Sequence, residues 1–102
     1  MAKAKLKDIL RPDELNVIAD ALKKADDSSE GIKLAKKVLK GKNVTQSEYA
    51  KIIVVLHVLS EYYSEQSERS DISSGQQTLL AAMSQAVIRI NKKLVDAADD
   101  FI

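Results

Sequence analysis

His57 is the only imidazole in a chain of 102 residues that contains no cysteine. Catalytic or metal chemistry at His57 would need a partner one helical turn away, and position i+4 offers only Glu61. Structural zinc takes four ligands, so a lone His–Glu pair is at most half a site. His57 is therefore expected to hydrogen-bond a neighbour, or to mark the side of its helix that meets solvent or a partner. Glu61, Glu65 and Glu68 form an acidic stripe beside Tyr62 and Tyr63. Acid–base work by paired carboxylates needs burial to raise a pKa, and this segment is too polar for that. The stripe is expected to be an interaction face or a solubility device, with Tyr62 pointing away from the seam that Tyr63 continues. The sequence has no thiolate nucleophile, Ser–His–Asp set, glycine-rich phosphate loop or metal box. No catalytic residue, cofactor, metal or small-molecule substrate is expected, and the protein is read as no enzyme.

The richest cluster is basic. Lys33, Lys36, Lys37 and Lys40 recur at threes and fours, which places them on one helix face, and Lys42 follows directly. Ile32, Ala35, Val38 and Leu39 are expected to turn inward. No acid at i+4 neutralises the lysines, so each neighbouring pair costs about a few tenths of a kcal/mol. Such a face suits a phosphate backbone, an acidic protein or the acidic half of a second copy. A solvated lysine face is the plainer reading. The stretch from Leu34 through Gly41 to Ser47 superficially resembles a helix-turn-helix, with Gln46, Ser47 and Lys51 of types that touch bases or phosphates. Its turn, Gly41 to Thr45, exceeds the usual three or four residues, and the following helix becomes apolar after one turn, which argues against that motif.

The total charge conceals this asymmetry. Sixteen Lys+Arg against fifteen Asp+Glu give a net charge of +1. Through Lys51 the balance is +4, and from there on it is −3.

Helices must position these groups. Apolar residues recur at threes and fours throughout, and Gly and Pro fall only at the joints. Leu6, Ile9 and Leu10 make a first turn or two. Pro12, followed by Asp13 and Glu14, opens a second helix that carries Leu15, Ile18, Leu22 and Ala25. Asp27 with Glu30 is expected to box the start of the lysine helix, and Gly41 to terminate it. Thr45 with Glu48 forms a capping box, and Val44 and Tyr49 sit where a hydrophobic staple would close over it. The helix that follows, through Ile52, Leu56, Leu59 and Tyr63, is apolar on nearly every side and is expected to be buried on nearly every side. Its β-branched run, Ile52 to Val55, has no second strand to pair with. Ser74 with Gln77, or Ser73 with Gln76, caps the last helix. There Leu80, Met83, Val87, Ile90, Leu94, Ala97 and Phe101 trace a heptad seam.

The expectation is one all-α domain over residues 1–102, a bundle of four to five helices. A long antiparallel hairpin (about 46–69 and 76–101) is covered by shorter N-terminal helices, with the fourth helix central. The acidic, apolar-ended Asp96–Ile102 stretch is read as a last helical turn rather than a docking tail. No secretory or membrane-spanning segment is evident, so a cytoplasmic location without membrane contact is expected. The catalytic inventory is nearly empty and the hairpin carries more apolar surface than a short bundle needs. Together these point to a protein of adaptor or inhibitor type that binds a protein partner and forms a homodimer. The alternative is a nucleic-acid-binding module using Lys33–Lys42.

Overall fold

The structure, a computed structural model, describes residues 3–25 and 28–98. The chain runs β1 (Lys3–Lys5), a 3-10 turn (Leu6–Asp8), α1 (Pro12–Ala25), α2 (Ser29–Leu39), β2 (Asn43–Thr45), α3 (Gln46–Ser67) and α4 (Ser74–Ala97). It is a small all-α bundle in which α3 packs against α4, α1 and β2. Helix α3 ends two residues earlier than expected, and α4 starts two residues earlier than expected. Helix α3 stops at Ser67, and α4 begins at Ser74 and ends at Ala97. Phe101 and the residues around it, from 99 to 102, lie outside the described residues.

One short sheet was not foreseen. β1 pairs antiparallel with β2, with Lys3 opposite Thr45, Ala4 opposite Val44 and Lys5 opposite Asn43. The partner is only three residues long and rich in lysine, so it carries no strand pattern that a reading by periodicity could register.

Each helix start follows local chemistry. The Glu14 carboxylate accepts the Arg11 backbone N–H at 2.9 Å, which satisfies an otherwise orphaned donor at the head of α1. For α2 the cap is Ser28, whose hydroxyl accepts the Gly31 N–H. The expected box on Asp27 is thereby corrected, and Asp27 itself lies outside the described residues. Thr45 and Glu48 form the expected reciprocal box, and Val44 and Tyr49 beside it are both buried. Of the two alternatives for α4, Ser73 with Gln76 is the one adopted. In the connection, Arg69 donates to Asp71 at 2.9 Å and Gln77 donates to the Arg69 carbonyl at 2.6 Å.

Gly41 ends α2 with φ of 66°. Its N–H bonds the Val38 carbonyl and that of Lys42 bonds the Lys37 carbonyl, the double bond of a Schellman cap. A side chain there would be strained and would meet the Lys7 Cδ at 3.0 Å. Gly41→Ala is expected to cost about 1–2 kcal/mol, read from the urea midpoint.

Two burial expectations are corrected. In α2 the buried residues are Gly31, Leu34, Ala35 and Val38, while Ile32 and Leu39 are exposed. The lysines at 33, 36, 37 and 40 take the solvent pole of the helix, and the sector opposite their centre is the one through residues 31, 34, 35 and 38. In α3 only Tyr49, Ile52, Leu56 and Ser60 are buried. Val54, Val58 and Tyr62 are 61%, 57% and 54% exposed. Helix α4 covers one side of α3, and α1 and β2 cover others, which leaves Val54, Val58 and Tyr62 toward solvent.

A continuous core joins Leu6, Leu10, Ile18, Leu22, Val38, Val44, Ile52, Leu56 and Leu94. Tyr49 donates its hydroxyl to the Leu94 carbonyl, tying the start of α3 to the end of α4. Ser84 donates to the Ser60 carbonyl at 2.9 Å midway along the hairpin. On the seam of α4, Val87, Ile90 and Leu94 are buried, whereas Leu80 and Met83 are only half so. None of the residues from 61 to 83 is buried. The molecule is accordingly long, 48 × 29 × 20 Å.

Two buried or half-buried carboxylates bridge elements. Glu14 receives Lys93 of α4 at 2.8 Å, and Glu48 receives Lys37 of α2 at 2.7 Å. Burial opposes ionisation of Glu14, but the Arg11 N–H, Lys93 and Arg11 outweigh it and lower its pKa below the ordinary 4.5. For Glu48, burial is likewise outweighed by Lys37 and Thr45, and its pKa is also lowered from 4.5. A carboxylate with a depressed folded pKa stabilises fully above its unfolded pKa and loses that contribution as pH falls through the folded value. The melting temperature is therefore expected to fall as pH drops below 4.5, less steeply in Glu14→Gln and Glu48→Gln.

Candidate interaction surfaces

The lysine helix presents its charges outward. Lys33, Lys36, Lys40 and Lys42 are exposed, and together with Lys37 they line a shallow depression of about 310 Å³. Lys37 is not unneutralised, as its i+4 neighbourhood suggested, because Glu48 reaches it from the next helix. The acid lies eleven residues away in sequence, beyond the range of a pattern along one helix. A second depression beside the first brings Lys33, Lys37 and Lys51 together with Glu30 and Glu48. The helix-turn-helix resemblance ends at β2, which stands between the two helices as a strand.

His57, Glu61, Tyr62 and Glu65 are all exposed on α3. His57 Nε2 lies 3.0 Å from Glu61 Oε1, the i+4 contact that the spacing allows. Among the described residues no group of three or more His, Cys, Asp or Glu side chains converges as a metal site. Tyr62 and Tyr63 stack at a tilt with ring centroids 5.9 Å apart, Tyr63 against the core and Tyr62 outward.

Tyr62 also borders a surface whose other residues were not foreseen, on the flank of α3 toward α1. A groove of about 430 Å³ runs between the end of α1 and α3, lined by Ala21, Ala25, Val55, Val58, Leu59 and Tyr62 among others. A smaller hollow shares Leu59 and Tyr63 with it and continues to Met83 and Val87 of α4. Leu79, farther along α4, is 61% exposed. Length explains the gap. At 1.5 Å per residue α1 reaches about 21 Å, while α3 and α4 reach about 33 and 36 Å, so α1 covers only part of the hairpin. The sequence carried a usable signal in two adjacent apolar stripes on one helix, Val54–Val58–Tyr62 and Val55–Leu59, one more than a core face requires.

No helix of the described residues is long and apolar enough to cross a membrane. The chain matches no protein-family model, and no curated protein and no solved structure is significantly similar to it.

Proposed function

We propose that this is a non-enzymatic protein-interaction protein, of adaptor or inhibitor type, that acts by binding a macromolecular partner and pairs with a second copy of itself. The observation that carries the reading is the apolar groove along Val58, Leu59, Tyr62 and Tyr63. Exposed aromatic and aliphatic side chains grouped in this way are characteristic of the buried centre of protein interfaces.

Length supports pairing: α3 and α4 extend beyond α1, and Val54, Val58, Tyr62 and Leu79 along them are more than half exposed. Two uncovered hairpins laid face to face make a four-helix arrangement, a form in which long apolar helices are routinely buried. Sedimentation equilibrium across micromolar concentrations should give a mass approaching twice 11.2 kDa. A monomer at every concentration overturns the self-pairing.

A further inference from the structure

We infer that the lysine surface is a composite, completed by the strand pair, and that it docks the phosphate backbone of nucleic acid without reading its sequence. β1 sets Lys5 opposite Asn43, next to Lys42. The Lys7 side chain lies against Gly41, between Lys40 and Lys42. Lysines from two distant parts of the chain are thus gathered around one turn. Lys5, Lys7, Lys33, Lys36, Lys40 and Lys42 are exposed, and none of the six has a salt bridge to an acid among the described residues. The acids nearby are few: Asp8 follows Lys7, Glu30 lies at the far side, and Glu48 is already held by Lys37.

The make-up of the surface decides between an acidic protein and a polyphosphate. Protein interfaces are depleted in lysine and need an apolar or aromatic centre. The depression on α2 is lined by five lysines and by no aromatic, aliphatic or arginine side chain. A phosphate backbone requires only point charges, which lysine supplies on flexible stems. The depression has no arginine, asparagine or glutamine to fork onto a base edge, and its lysines act as point charges, so phosphate contacts should dominate and sequence preference should be weak. The surface shares no lining residue with the apolar groove, and the inference is independent of self-pairing.

The test is fluorescence anisotropy with a labelled duplex of about 20 base pairs and a single strand of equal length, titrated from about 25 to 200 mM salt. Binding in the range of about 10⁻⁴ to 10⁻⁶ M is expected, with a log–log salt slope near −4 to −5 for duplex, as about five phosphate contacts imply. Lys36→Gln with Lys40→Gln, and separately Lys5→Gln with Lys7→Gln, should each weaken binding about tenfold at low salt and flatten the slope by about 2. Circular dichroism should show both variants folded, because the four side chains are exposed. Unchanged affinity in the Lys5, Lys7 variant overturns the composite surface. Absence of binding at low salt, or equal affinity for polyglutamate of matched charge, overturns the phosphate-backbone partner.

Discussion

Leu56→Ala is expected to remove about 3–5 kcal/mol of stability, whereas Val58→Ser, two positions along the same helix, should change it by less than about 0.5 kcal/mol. Both residues belong to one apolar stretch, Ile52 to Leu59, broken only by His57, and both are aliphatic. Their surroundings separate them. Leu56 is fully enclosed in the core, so truncation loses transfer free energy and leaves a cavity whose walls are held by α1 and α4. Val58 is already more than half in water, so its methyl groups have little burial to lose. For a domain of this size the total stability is about 5–15 kcal/mol, which makes the first substitution severe. Urea unfolding at high dilution, where self-pairing does not contribute, checks both. Equal losses at the two sites would mean that α3 is buried all round.

Val58→Glu combined with Tyr62→Glu is expected to weaken self-pairing at least about a hundredfold, holding the mass near 11.2 kDa at every concentration where the parent chain pairs. Tyrosine anchors are frequent hot spots, and four introduced carboxylates per pair would meet in a water-poor centre without partners. Because both side chains are solvated in the single chain, its far-ultraviolet circular dichroism and melting cooperativity should persist. Lys36→Glu with Lys40→Glu serves as the counter-test. If reversing those lysines separates the copies and the groove variant does not, the contact is electrostatic and the groove is not the interface.

The sequence revealed the helices, and most of their ends, because these depend on neighbours. The box at Thr45 and Glu48 and the Gly41 terminator are contacts within a few residues, and spacing along the chain encodes them directly. The position of Tyr62 followed from the same periodicity. What escaped depends on partners far away in sequence. Whether Val58 or Leu59 faces water is set by how far α1 extends along the hairpin, and the pairing of Lys37 is set by an acid on another helix. The rotation of α2 illustrates the middle ground: an apolar face of Ile32 and Leu39 and one of Leu34 and Val38 were both available. The requirement to keep four lysine heads solvated selected the second.

The strand pair has a consequence for how the chain opens. By joining residues 3–5 to 43–45 it closes the first part of the chain on itself, so that α1 and α2 ride on one looped unit and the α3–α4 hairpin forms another. The two are joined by one core and by the Glu14–Lys93 and Lys37–Glu48 bridges, so local opening is expected to start where no residue is buried, between residues 61 and 83. Separation of the uncovered hairpin end need not disturb the loop, and the lysines gathered around Gly41 would keep their arrangement while the far end of the molecule breathes. The lysine surface is thus anchored at the enclosed end of the molecule, far from the hairpin tip where no residue is buried.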